Sequence, residues 1–198
     1  MRRSLRRAVH AVVLVLCAAV VATMTAPTAS ADDAYDALRS RWAETLTGGS
    51  LYSTSDSAAS ARLTRLAQDA QGHWNSMNTG SGRTSLWNDL DDATTGNSGI
   101  EDTWYSYLRL RDMTLAYASN GSSLQGNTSL RAAIISALDW LHTNRYNTTI
   151  TKLGNWWLWE VGVPLALNDV SVLLYAHLSS TQVSNYQAAI ELLGVRPR

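Results

Sequence analysis

The spacing of apolar residues constrains this chain more than any other feature, because it recurs every three to four positions from Tyr35 to Leu193. Tyr35, Leu38, Trp42 and Leu46 fall at i, i+3, i+7 and i+11, one stripe down a helix. Leu63, Leu66, Ala67, Ala70, Trp74 and Met77 repeat the pattern behind a cap at Ser55 or Asp56. The Gly/Ser/Thr/Asn/Asp-rich stretch from Asn78 to Gly99 breaks it and reads as a long loop, with a turn of helix near Leu86-Trp87. Helix returns at Ile100–Ser119 and stops at Asn120-Gly121. Asn127 or Thr128 caps the next helix, striped by Leu130, Ile134, Ala137, Leu138 and Leu141. Another is marked by Leu167, Val170, Leu174 and Leu178. The last opens on a Ser179/Gln182 capping box, carries Val183, Tyr186, Ile190 and Leu193, and stops at Gly194. No stretch alternates with period two for long enough to make a strand. The fold is therefore expected to be all-α, with antiparallel helix pairs joined by loops, and no fixed 34-residue period marks a helical repeat.

The first residues serve a different purpose. Arg2, Arg3, Arg6 and Arg7 precede an apolar run, Ala8–Val21, interrupted only by His10, and Ala29-Ser30-Ala31 has the small-x-small form that a signal peptidase cuts. The run falls short of the roughly 20 residues that span a bilayer. Residues 1–31 are read as a secretory signal peptide, and the product as secreted and extracellular. Removing them takes the only cysteine, Cys17, and four arginines, leaving residues 32–198 with 12 basic against 16 acidic residues. Disulfides, thiolate catalysis and cysteine metal sites are then excluded. A mildly acidic chain without a basic run argues against nucleic acid and, once the signal is cleaved, against a membrane. Eight Trp and eight Tyr with no Phe stand out, since both have polar edges as well as flat faces and gather where sugars or proteins bind.

The most unusual segment is Gly154-Asn155-Trp156-Trp157-Leu158-Trp159-Glu160-Val161-Gly162-Val163-Pro164. Pro164 suits the first turn of a helix, so the Leu167 helix should begin beside it. Gly154 and Gly162 weaken helix upstream, which places the three Trp in a constrained loop or short turn. Trp156 and Trp157 cannot both face one core, because neighbours in sequence point in different directions. An exposed pair makes a platform for the apolar face of a pyranose ring; the alternative is that all three indoles are core.

Asn155-Trp156-Trp157-x-Trp159-Glu160-Val161-Gly162-Val163-Pro164, followed by Ala166-Leu167-Asn168-Asp169 and Val172-Leu173-Leu174-Tyr175, resembles polysaccharide lyase family 8, the secreted hyaluronate, chondroitin AC and xanthan lyases. Arg109-Leu110-Arg111-Asp112-Met113 and Ala137-Leu138-Asp139-Trp140-Leu141 match its style as well. The resemblance implies an incomplete (α/α) toroid, of which residues 32–198 are the N-terminal part, followed in full-length members by β-sandwich domains. It implies an acidic polysaccharide substrate cleaved by β-elimination. In that reaction a base takes the proton α to the uronate carboxylate, an acid protonates the leaving oxygen, and Asn and Arg side chains polarise the carboxylate, with no cofactor. The family's aromatic patch carries over to Trp156 and Trp157, and Asn155 is implied as a hydrogen-bonding neighbour of the sugar. Two local charges depart from the pattern, since Leu158 stands where an acidic residue is usual and Leu165 where an Arg is usual. The family's catalytic Asn, His, Tyr and Arg lie in later helices, so the chain is expected to be truncated before them, with the rest of the toroid and the β-sandwich domains missing. No catalytic role is given to His73, His142, His177 or the tyrosines.

Other residues read as structural. His73, His142 and His177 lack ligand spacing for a metal. Asp89, Asp91 and Asp92 suggest a calcium loop, but Thr94 replaces the required glycine. Glu160 reads as an anchor for its loop, and Asp169 as a carboxylate in the first turns of its helix, favoured there by the dipole. Arg109 and Arg111 read as solvated helix-surface cations rather than substrate contacts. The rival to a lyase segment is a non-catalytic carbohydrate-binding module that uses the Trp pair alone.

Overall fold

A computed structural model describes residues 35–49, 55–90 and 96–194, with side chains described from residue 99 in the last segment. The signal reading of residues 1–31, the aspartates at 91 and 92, and the last four residues lie outside them. The chain divides into two units, Met1–Asp36 and Ala37–Arg198. Only Tyr35 and Asp36 of the first are described, and everything below concerns the second.

Among the described residues there are six α-helices and no strand: α1 (Asp36–Thr47), α2 (Ser57–Ser76), α3 (Gly96–Ala118), α4 (Thr128–Asn144), α5 (Val163–Leu174) and α6 (Ser180–Leu193). The caps are those the sequence offers. Asp56 accepts from Ala59 N at 2.9 Å, Asn127 accepts from Leu130 N at 3.0 Å, and Ser179 with Gln182 forms the reciprocal capping box. Gly194 stops α6 by close approach, since a Cβ there would lie 2.5 Å from the Ile190 carbonyl oxygen.

Cross-helix contacts fix the directions. Tyr117 meets Arg131 at one end of the α3–α4 pair and Tyr107 meets Tyr146 at the other, so these helices are antiparallel. Trp104 lies against Trp157, Arg111 against Asp169 and Tyr117 against His177, so α3 and α5 run parallel. Arg131 meets His177 and Asp139 meets Tyr186, which aligns α6 with α4. Two antiparallel hairpins, α3–α4 and α5–α6, thus pack side by side, and α3 also packs on α2. Their seam is apolar: Leu110, Met113, Leu130, Ile134, Leu138, Leu141, Leu167, Val170, Leu174 and Tyr186 are all buried. Within the 20-residue run Leu158–His177 an 18-residue stretch has a mean hydropathy of 1.2, and it is more than half buried by this packing.

Three expectations are corrected. The stripe on α1 is not core: no residue of that helix is buried, and Leu38 is 60% exposed. What holds α1 is polar, the Trp42 indole donating to Asp169 Oδ1 at 2.8 Å and the Arg39 guanidinium lying 3.8 Å over the Tyr175 ring. Leu86-Trp87 forms no helical turn; Trp87 pairs with Leu90 across a tight reversal, and burial of Leu86, Trp87 and Leu90 plugs the loop into the core. Finally, α3 begins at Gly96 rather than Ile100.

Between α4 and α5 the chain doubles back through Arg145–Asn155 and re-enters helix at Trp156. Tyr146 is buried there, stacked on Trp159 (5.9 Å, 16°) and edge-on to Tyr107 (6.1 Å, 77°). Its hydroxyl donates to the Trp159 carbonyl at 2.8 Å. Burial, with Glu160 nearby, pushes the phenol pKa well above its ordinary value, so the group stays protonated and able to donate. Replacing Tyr146 with Phe keeps the ring stack and orphans one buried carbonyl. Urea unfolding should show a loss of about 1–2 kcal/mol, and an unchanged midpoint would mean that the carbonyl finds another donor.

Candidate aromatic carbohydrate-binding face

The Trp segment is helical, not a loop. Asn155 opens the run, its Oδ1 accepting from Trp157 N at 3.0 Å and its carbonyl from Leu158 N at 3.2 Å. Trp156 and Trp157 form the first helical residues, Leu158–Gly162 makes a π turn in which Val163 N reaches back five residues to the Leu158 carbonyl, and α5 follows without a break. Pro164 falls in the first turn of α5, as its missing N–H requires. In the π register residue 164 would donate to the Trp159 carbonyl, and that is the oxygen to which the Tyr146 hydroxyl donates instead. π turns of this kind recur at functional sites because they re-aim side chains that a regular helix would hold elsewhere.

The three tryptophans separate as neighbours must. Trp159 is buried and donates its indole N–H to the Leu153 carbonyl at 2.7 Å, which pins the approach to the helix. Trp156 is 61% exposed and Trp157 40% exposed. Trp157 is held edge-on to Trp104 of α3, with ring centroids 6.0 Å apart and planes at 86°. Trp104 in turn lies 5.0 Å from the Tyr105 ring, and Tyr105 is 47% exposed. Such edge contacts add about 0.5–1.5 kcal/mol per pair beyond burial, enough to favour one orientation of the Trp157 face.

Gly162 makes this packing possible. Its backbone needs no special freedom, but a Cβ there would lie 3.0 Å from Trp157 Cζ3 and 3.1 Å from Trp104 Nε1. Lys152 Nζ pairs with Glu160 Oε1 at 2.9 Å, tying residues 151–155 to the π turn. This is the anchoring role expected of Glu160, worth at most about 1 kcal/mol for so exposed a pair.

Two other carboxylate readings change. Asp169 lies in the first two turns of α5 as expected, but its partners come from other helices rather than from the dipole. Arg111 Nε donates to its Oδ2 at 2.6 Å and Trp42 Nε1 to its Oδ1, so one buried carboxylate joins α1, α3 and α5. Arg109 forms a bidentate pair with Asp89 at 2.8 and 2.5 Å. Neither arginine is simply solvated. His73 packs edge-on to Trp87, whose indole donates to the His73 carbonyl, while burial and the Arg109 charge lower its pKa.

The structure therefore brings Trp156, Trp157 and Asn155 together at one end of the hairpin layer. It adds Trp104 and Tyr105, which the sequence reading passed over. Their signal was available: Trp104 and Tyr105 are adjacent aromatics on an amphipathic helix, where one must face outward. That their end of α3 lies beside residue 157 follows only from the parallel α3–α5 packing.

An all-helical hairpin layer of the α/α toroid class with a tryptophan face at one end is the kind of protein defined so far. The sequence model of the polysaccharide lyase family 8 N-terminal alpha-helical domain matches residues 42–197, and the chain belongs to that family. Xanthan lyase of Bacillus sp. (strain GL1) is 43% identical over 164 residues, 82% of this chain and 17% of that protein. Hyaluronate lyase of Thermasporomyces composti is 35% identical over 165 residues, 83% of this chain and 20% of that protein. The structure of the Streptomyces coelicolor A3 chondroitin AC lyase in complex with chondroitin sulphate superposes with a TM-score of 0.73 at 33% identity, covering 82% of this chain and 21% of that one. The chain spans about a sixth to a fifth of the length of the curated relatives it matches.

Gly162→Ala should displace the Trp157 and Trp104 rings by a few tenths of an ångström and cost about 1–3 kcal/mol of stability by overpacking. Thermal unfolding measures the cost, and the near-ultraviolet circular dichroism of the two proteins, compared, reads the displacement of the rings. A variant as stable as the parent, with unchanged aromatic dichroism, would show that the glycine is not required.

Proposed function

We propose that this chain is the exported sugar-binding wall of a polysaccharide lyase that acts on acidic, uronate-containing polysaccharides by β-elimination. The observation that carries the reading is the adjacent pair of exposed indoles, Trp156 and Trp157, fixed by a capped, π-turned helix start. Flat apolar faces of about this size suit the C–H face of a pyranose ring, and the Asn155 amide lies at their base. Leu165 is exposed and neutral where the family usually carries an Arg, while Leu158 turns into the core, so stacking rather than ion pairing dominates. Residues 1–31 direct secretion, and residues 32–198 form the toroid segment. No residue of this chain is assigned the acid or base of the elimination. In this reading those groups belong to the portion of the relatives' length that the chain does not span, together with further toroid helices and β-sandwich domains. The elimination needs no cofactor. The family match and the relatives' names, xanthan lyase and hyaluronate lyase, support the substrate class.

The test combines turnover and binding. The chain is incubated with hyaluronan, chondroitin sulphate and xanthan while the ultraviolet absorbance of unsaturated uronate is followed, and binding to the same polymers is measured by calorimetry. No absorbance gain is expected, but binding that Trp157→Ala weakens at least about tenfold, with the fold intact by circular dichroism. Turnover by the chain alone would overturn the assignment of catalysis elsewhere. Binding indifferent to both Trp156→Ala and Trp157→Ala would overturn the aromatic site.

A further inference from the structure

The opposite end of the α3–α5 pair carries a second constellation, centred on a cavity of about 510 Å³ lined by Arg131, Ala132, Ile135, Ser136, Asp139 and His177. The distance from the tryptophans is set by α3 between Trp104 and Tyr117, about 20 Å at ~1.5 Å per residue. Arg131 Nη1 does all of that residue's internal bonding: it donates to Tyr117 Oη at 3.3 Å and lies 3.3 and 3.4 Å from the two His177 ring nitrogens. Tyr117 Oη and His177 Nε2 are 3.1 Å apart, which closes the trio and holds the guanidinium in place. Arg131 Nη2 and Nε have no hydrogen-bond partner among the described residues, and no carboxylate there pairs with the charge. Four other arginines of the domain have polar partners that hold the guanidinium. Arg109 and Arg111 sit on aspartates, and Arg83 and Arg145 sit on backbone carbonyls.

Asp139 lines the other end of the same cavity. Its Oδ1 accepts from Tyr186 Oη at 2.7 Å and from Gln182 Nε2 at 3.0 Å, and its Oδ2 from the same Gln182 Nε2 at 3.0 Å. The carboxylate is thus immobilised by neutral donors and meets no cation. Arg131 and Asp139 stand eight residues apart on α4, about 12 Å along the axis, too far to neutralise one another. Between them the same helix face presents the Ser136 hydroxyl, which accepts from Arg83 Nη2 at 3.2 Å and keeps a second lone pair, and the aliphatic surfaces of Ala132 and Ile135. His177 adds no competing charge at neutral pH, because burial and Arg131 lower its pKa from 6.5.

A fixed cation, a fixed acceptor two turns away and an aliphatic floor between them complement a ligand with a carboxylate at one end, hydroxyls at the other and a C–H face between. We propose that this groove binds a single sugar acid, its carboxylate on Arg131, its hydroxyls donating to Asp139 and Ser136, and its ring against Ala132 and Ile135. The choice of a sugar acid rests on the polysaccharide reading above, but the groove is separate from the tryptophan face, and a monosaccharide probe lets either fail alone.

The full chain is titrated with D-glucuronate while the Arg131 Nε–H cross-peak and the His177 ring signals are followed by NMR. Both sets should shift together with one binding curve in the millimolar range. Ala132→Phe, which fills the groove from its exposed rim and leaves Arg131 in place, and Arg131→Met should each weaken the curve at least about tenfold. Trp157→Ala should leave it unchanged. D-Glucose and acetate should each bind at least about tenfold more weakly than glucuronate, since each supplies half of the complement. Absence of any shift, a wild-type curve in Ala132→Phe, or acetate binding as well as glucuronate would overturn the proposal. So would γ-aminobutyrate binding more tightly than glucuronate, because it would make the groove an amino-acid site.

Discussion

The Tyr146 hydroxyl donates to the Trp159 carbonyl that Pro164 cannot reach, and the placement of the tryptophan face follows from that bond. A helix that passes through a π turn and then meets proline leaves a carbonyl without its N–H. Left buried and unpaired, that oxygen would cost about 1–3 kcal/mol, enough to favour a different start for the helix. Tyr146 removes the penalty from outside the helix and at the same time stacks on Trp159, so the third tryptophan becomes a wall and the first two are turned outward. Gly162 supplies the space in which Trp157 and Trp104 meet over the π turn. One hydrogen bond, one missing N–H and one missing side chain therefore determine which indoles the solvent sees.

The same helix ties the rest of the layer together at its middle. Asp169 receives Arg111 from α3 and the Trp42 indole from α1, and this is why α1 stays attached although none of its residues is buried. Removing one member of a buried ion pair usually costs more than the pair contributes, so Asp169 fixes relative positions more than it adds stability. Aromatic face, carboxylate node and the Arg131–Tyr117–His177 trio thus occupy the start, middle and end of one parallel helix pair.

Much of this was legible in the sequence. The stripe on α4 was read residue by residue, because Leu130, Ile134, Ala137, Leu138 and Leu141 fall on one face of a helix surrounded by others. The caps at Asn127 and Ser179 were legible because capping is a contact within four residues. The stripe on α1 misled, because periodicity says which face is apolar but not whether another helix arrives to cover it. The sequence leaves a constrained loop or a short turn open at the tryptophans and does not single out a π turn, because the cause of its helicity lies elsewhere: Tyr146 is in the preceding connection and Trp104 in another helix. Adjacency implies only that Trp156 and Trp157 do not both face one core; that both are exposed, with Trp104 and Tyr105 beside them, depends on the register of α3 against α5, which no local pattern encodes. Asp169 was assigned to a helix dipole for the same reason, its true partners being 58 and 127 residues away.

Trp156 and Trp157, and not the other tryptophans, are proposed to meet the polysaccharide. Incorporating 5-fluorotryptophan and titrating the chain with hyaluronan oligosaccharides reads each indole separately by ¹⁹F NMR, with Trp156→Phe and Trp157→Phe assigning the two resonances. The account predicts that these two shift on one saturable curve, that Trp104 follows weakly through its edge contact, and that the buried Trp87 and Trp159 stay fixed. Shifts spread equally over all the tryptophans, or confined to those outside the face, would contradict it.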